Sequence, residues 1–248
     1  MQGAAAFGSN AKSNVTTPSC LLDGDSWICV RHILLDLGVE SMAARLRRDR
    51  TLGINVVPND KAAPLIDVPV INLAKAPGEH AAWDRPKIVV YLWAACELLF
   101  VANAWQISSG LRVMVLRIFG AEIGNAVVFR PRTRVKFPWK LHIGDRSWIG
   151  EGVWFHNQDH IHIGSDVVIS QESFLTTGSH AHRLDMALIT RPIRIDDGAW
   201  VTSRCVILGG SHVGQSAVIA PLTVVSGQVE ANALISGNPP TQIGTRFS

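Results

Sequence analysis

Near neutral pH the side chains best suited to move protons or attack carbonyls are imidazole and thiolate, and this 248-residue chain carries nine His and four Cys. Cys20, Cys29, Cys96 and Cys205 lie far apart with no Cys-x-x-Cys spacing. That excludes a zinc ribbon and a disulfide framework and fits reduced thiols in the cytoplasm. Among the His, His180 is distinguished by its position: it stands where a regular spacing of apolar residues breaks off, directly before Ala181 to Pro192, the one long interruption of the pattern. A segment ejected from an otherwise regular repeat serves a site or a subunit contact. His182 is the neighbouring candidate, whereas His156 and His160 read as outward strand or corner residues.

The elements that must position His180 follow from the repeat. Ile123, Phe129, Val135 and Leu141 recur every six residues, then Ile143, Ile149, Phe155 and Ile161, then Ile163, Ile169 and Leu175. After the interruption the spacing resumes at Ile195, Val201, Ile207, Val213, Ile219 and Val225. A period of six matches neither a helix nor a lone amphipathic strand, but it suits a chain making one flat strand and one corner per hexad, so that three hexads close a triangular coil. The aliphatic residue points inward, and small or turn-prone residues such as Gly, Asn, Asp and Ser are expected at the corners, where unusual backbone angles are needed. At the junctions Leu141-His142-Ile143, Ile161-His162-Ile163 and Ile193-Arg194-Ile195, the middle side chains should face outward.

Composition agrees with this organisation. Hydrophobic residues make up 47% and charged residues 17%, which excludes a disordered chain, and aromatics at 7% leave the core to aliphatic side chains. The net charge of +3 is small and scattered, so no nucleic-acid partner is expected. Met1 to Ser19 lacks the pattern of a secretory signal and reads as a flexible leader. Ile88 to Ala104 is the most apolar stretch, but Glu97 and Asn103 interrupt it, so a buried or membrane-surface helix is expected, with at most peripheral membrane association. Arg85 to Phe119 reads as helical, and so does Val39 to Arg50. The organisation expected is therefore a leader and small module at 1–82, a helical segment at 83–120 packed on the prism, and the prism itself at 121–248 with an ejected loop at 181–192.

Several blocks carry a family resemblance: Leu116-Arg117-Ile118-Phe119-Gly120-Ala121-Glu122-Ile123-Gly124, Pro138-Trp139-Lys140, Trp148-Ile149-Gly150-Glu151, Ile169-Ser170-Gln171-Glu172, Thr177-Gly178-Ser179-His180, Gly198-Ala199-Trp200-Val201 and Gly237-Asn238-Pro239. In this order they make Lys87 to Gly237 resemble the hexapeptide-repeat O-acetyltransferases, most closely the colanic acid biosynthesis branch. The resemblance implies a mainly β fold, a left-handed parallel β-helix preceded by a helical region; the hand comes from the family alone, because the period does not define it. It implies a homotrimer with sites between neighbouring prisms, acetyl-CoA as donor, a sugar or saccharide hydroxyl as acceptor, and no metal. His180 matches the general base. Asn157 and Trp200 match acceptor-contacting positions. Ser203, Ala220, Pro221, Ser226 and Asn238 match positions along the donor.

The chain also departs from that family. Ala181 stands where Asp commonly follows the base, so an orienting carboxylate has to come from elsewhere, with Asp185 a candidate. Pro221 interrupts a Gly-Ala-Gly-Ser coil and has no N–H to donate. Pro240-Thr241-Gln242 replaces the cations that meet the phosphates of coenzyme A, leaving Arg246 as the substitute. Upstream, Asp36 to Arg47 resembles the phosphopantetheine attachment motif of carrier proteins, with Ser41 at the attachment position, which makes carrier-bound phosphopantetheine a second donor. Two other classes compete: a non-catalytic scaffold on the same prism, and a zinc hydratase, which would need three His ligands where the coil reads Ile169-Ser170-Gln171.

Overall fold

The structure, a computed structural model, describes residues 68–248; Ser41 and the helix expected at Val39 to Arg50 lie outside the described residues. Short strands wind into a three-sided parallel prism of about six turns. The first face stacks Glu122–Ile123, Leu141–Ile143, Ile161–Ile163, Ile193–Ile195, His212–Val213 and Gln228–Val229 in parallel register. The second runs from Val128–Phe129 to Ala233–Ser236, and the third from Arg134–Val135 to Val224–Val225. Inward residues stack from coil to coil, so Ile149, Ile169, Val201 and Ile219 form one buried column and Phe155, Leu175 and Ile207 another. Burying each such side chain stabilises the fold by roughly 1.5–3 kcal/mol. The outward positions expected for His142, His162 and Arg194 are found, each being half-buried or exposed between two buried neighbours.

The corners are left-handed, as expected of the turn-prone residues there: Ala126, Arg146, Asp166, Gly198, Ser216 and Asn232 hold one edge and Arg132, Gly152, Glu172, Arg204 and Leu222 the next, the non-Gly residues at φ between 55° and 63°. Such a conformation costs a non-Gly residue about 1–2 kcal/mol, and the hydrogen bonds between coils offset it, as where the Arg146 N–H donates to the Asn125 carbonyl at 2.8 Å. Gly144, Gly150 and Gly214 are required by close approach. A Cβ on Gly144 would stand 2.6 Å from the backbone of Gly164, and one on Gly214 would stand 2.6 Å from the Ala231 nitrogen. The coils can stack at sheet spacing only where nothing projects between them.

The helical segment is two helices, not one. α1 spans Lys87–Cys96 and runs into a π turn, Glu97–Val101; α2 spans Ser109–Ile118 and is capped by the Ser108 hydroxyl, which accepts from the Leu111 N–H. Asn103 separates them by donating to the Leu99 carbonyl and accepting from the Trp105 N–H, local bonds that compete with helix continuation. Together they close the open end of the prism. Arg117 donates to the Ile123 carbonyl on the first face, the Ser109 hydroxyl accepts from the Phe129 N–H on the second, and on the third Glu97 accepts from the Val135 N–H at 2.7 Å while Trp93 donates to the Val135 carbonyl at 2.9 Å. Side chains thus take the place of a missing coil.

At the far end Thr241–Thr245 folds back antiparallel on Ala233–Ser236. Residues 68–82 are part of the same compact unit as the prism, a unit that begins at Val68. Glu79 pairs with Lys136 at 3.0 Å, and Lys140 donates to the Ala82 carbonyl. Among the described residues no helix is long and apolar enough to cross a membrane.

Candidate active site

The interruption of the repeat is a hairpin. Gly178–His180 pairs antiparallel with Leu188–Thr190, His180 opposite Leu188, so the expected loop at 181–192 contracts to a turn at 181–187. Within the turn Ala181 donates to the Ala187 carbonyl at 2.9 Å, and the Asp185 carboxylate accepts from the Ala187 N–H. Asp185 is therefore engaged in shaping the turn and does not touch the imidazole. The group that does is the Met186 carbonyl, 2.9 Å from His180 Nδ1. A carbonyl only accepts, so Nδ1 carries the proton and donates, which leaves the Nε2 lone pair directed away. Among the described residues Nε2 has no hydrogen-bond partner. His180 borders a cleft of about 450 Å³ shared with His182, Arg183, Leu208 and Ser226.

The remaining sequence candidates do not gather there. Asn157 is fully buried, its amide donating to the Phe137 carbonyl at 2.6 Å and accepting from the Phe137 N–H at 3.1 Å. Both halves of the amide are consumed in joining two coils, which corrects its reading as an acceptor contact. Trp200 is 42% exposed on the second face and donates to the Ser170 hydroxyl, while Ser203 donates to Gln171. Ala220 and Pro221 lie one coil further along the same edge, where the Leu222 N–H donates to the Ser203 carbonyl. Asn238 is exposed at the turn before the last strand. Arg246 donates to the Gly198 carbonyl at 2.6 Å and stacks on Phe247, so its charge is already engaged. Ser226 alone of the donor candidates shares the His180 cleft.

Sequence reasoning missed a second gathering of imidazoles. His142, His160 and His162 stand together on the first face, ring nitrogens within 4.8 Å of one another. No carbonyl or loop assembles them. His160 directly precedes the strand Ile161–Ile163 that carries His162, and His142 is the in-register neighbour of His162 on the preceding coil. A His-x-His pair preceded by a third His one coil length earlier was the signal available. Burial holds His162 below the usual imidazole range, with the neighbouring His142, His160 and Arg194 adding to it.

No profile of a known family matches the chain. Among solved structures, the fold superposes on a hexapeptide-repeat acetyltransferase of Vibrio cholerae crystallised with acetyl coenzyme A, with a TM-score of 0.60 and 23% identity over 65% of this chain and 89% of that one. It also superposes on a maltose O-acetyltransferase of Clostridium difficile, with a TM-score of 0.56 and 20% identity over 66% and 90% of the two chains. The prism is thus the left-handed parallel β-helix of acetyltransferases. The sequence narrows this: over 160 residues the chain is 36% identical to the colanic acid biosynthesis acetyltransferase WcaF of Escherichia coli, covering 64% of this chain and 88% of the relative. The chain belongs to the hexapeptide-repeat acetyltransferase family and is an acyltransferase.

Proposed function

We propose that the protein transfers an acetyl group from acetyl-CoA to a hydroxyl of a sugar or saccharide precursor, with His180 as the general base. The observation that carries this is the His180 imidazole, its Nδ1 proton given to the Met186 carbonyl and its Nε2 lone pair open to the cleft. Nε2 takes the proton of the acceptor hydroxyl as its oxygen bonds to the thioester carbonyl carbon; the tetrahedral oxyanion then collapses, breaking the carbon–sulfur bond, and the imidazolium returns the proton to the departing thiolate. The Met186 carbonyl, in place of a carboxylate, keeps the ring in the basic tautomer and orients it. Ser226 lies against the donor. Trp200, Ser203, Ala220, Pro221 and Asn238 are assigned to a neighbouring protomer's cleft in a homotrimer, because within one chain they line another edge.

The crystallisation of the Vibrio relative with acetyl coenzyme A and of a galactoside acetyltransferase with coenzyme A supports the donor, and the maltose, galactoside and colanic acid relatives support a saccharide acceptor. Phosphopantetheine on Ser41 is the alternative donor, tested by a mass shift on incubation with a pantetheinyl transferase. The exposed Ile88 and Leu92 of α1 and Leu99 of the π turn are the surface for any peripheral membrane contact. His180→Ala should abolish thiol release from acetyl-CoA in the presence of a saccharide acceptor while leaving the fold intact; full retention overturns the assignment.

A second reading, a non-catalytic scaffold, is favoured by the engaged Arg246 and by Pro221 on the donor edge. Calorimetric titration with acetyl-CoA separates the two, since a scaffold gives no heat of binding.

A further inference from the structure

We propose that His142, His160 and His162 form a binding site for a borderline divalent cation of the Zn²⁺ class, distinct from the transfer cleft. The three side chains offer one nitrogen each, mutually within 4.8 Å, from two consecutive coils of a rigid face. Tetrahedral ligation with metal–nitrogen bonds of about 2.0–2.1 Å sets ligand nitrogens about 3.3 Å apart. His142 Nε2 and His160 Nδ1 stand at 2.8 Å, sharing a proton across that gap. Replacing the shared proton by a metal ion requires the two rings to separate by about half an ångström, a rotamer adjustment and not a backbone movement. The His162 ring lies 4.3 Å from that of His142 and nearly parallel to it, so it must rotate about its side-chain bonds to turn a nitrogen lone pair from the adjacent coil toward the same point.

The surroundings favour ligation over a mere stack of rings. Glu122 Oε2 lies 2.7 Å from His142 Nδ1, which fixes the tautomer with the proton on Nδ1 and the Nε2 lone pair facing His160. A carboxylate behind an imidazole is the arrangement that orients metal-binding His and raises their basicity. His160 is tied at its backbone, its N–H donating to Asp159 Oδ1 at 2.7 Å and its carbonyl accepting from Ile193. Arg194, next on the face, is paired with Asp196 at 2.7 Å, which partly offsets its charge. With three protein nitrogens, the fourth position opens to the groove that Glu122, His142, His162 and Arg194 line. Only an unprotonated ring nitrogen can ligate, so protons compete with the ion and affinity falls on acidification.

The experiment titrates Zn²⁺ alone into the full-length, chelator-treated chain by calorimetry and records the visible absorption of the Co²⁺ form. One equivalent of Zn²⁺ per chain and the intense bands of tetrahedral Co²⁺ are expected. His142→Ala and His160→Ala should each weaken binding at least tenfold, and Glu122→Gln about tenfold. His182→Ala, outside the cluster, should change nothing. If an alanine variant fails to fold, His160→Asn keeps a polar outward residue and tests the same nitrogen. Absence of a saturable one-equivalent site, or equal affinity in the cluster variants, overturns the proposal.

Discussion

Ile169 and His180 stand eleven positions apart in the chain and live under different rules. Ile169 is fully buried, fixed by coils above and below and by two facing walls, and every neighbour shares its constraint. His180 stands on a two-stranded hairpin, exposed, its orientation resting on one bond to the Met186 carbonyl. The prism supplies redundancy and the hairpin supplies reach. A change in the first should therefore be read in stability, and a change in the second in rate.

The sharpest separation comes from His180→Ala, which should lower the transfer rate by about 10²–10⁴-fold, equivalent to about 3–5 kcal/mol of barrier, with an unchanged melting temperature. Steady-state kinetics with thermal denaturation checks both halves, and a drop in melting temperature matching the drop in rate would erase the distinction. Ile169→Ala should do the reverse, costing about 2–5 kcal/mol of stability through the cavity it leaves between coils, measured by chemical denaturation.

A third test concerns the helical cap. Glu97→Ala strips the Val135 N–H of its partner and should cost about 1–3 kcal/mol, whereas Glu97→Gln keeps an acceptor and should cost little. Burial pushes the Glu97 carboxyl up, against the Val135 hydrogen bond and the Arg134 and Lys136 charges that pull it down. Between the ordinary value and the raised one, the folded chain holds a proton that the unfolded chain has released, so stability falls as pH rises through that window. Glu97→Gln should remove this dependence. The smallest effect is at His156, which burial holds below 6.5, with Lys136 and Arg134 pushing the same way. The folded chain then binds fewer protons than the unfolded one as pH falls below 6.5, so acidification through that range destabilises it, and His156→Phe should flatten the slope.

What could be read without coordinates divides along the same line. The inward columns were legible because a six-residue period with aliphatic side chains admits one three-sided arrangement, and every position from Ile123 to Val225 named on that basis is buried. His180 was legible because it ends a run. Its partner was not, since a backbone carbonyl carries no side-chain signature and Met186 reaches the ring only through the turn at 181–187. Asn157 was misplaced because a buried amide joining two coils and an exposed one contacting a substrate have the same letter. Corner glycines such as Gly152 and Gly198 were legible as turn formers, but the need for Gly144, Gly150 and Gly214 was not, since an absent side chain matters there only through the distance to a coil about twenty residues away. His142 and His162 converge for the same reason: a coil of twenty residues returns the chain to register.

The side chains that close the first coil have one more consequence. A parallel solenoid ending in bare N–H and C=O groups is a template on which a second prism could add in line, and end-to-end addition has no natural stop. Trp93, Glu97, Ser109 and Arg117 occupy those groups at the first coil, and Thr241–Thr245 adds antiparallel to the last strand of one face at the other end, so the parallel ladder cannot be continued in register there.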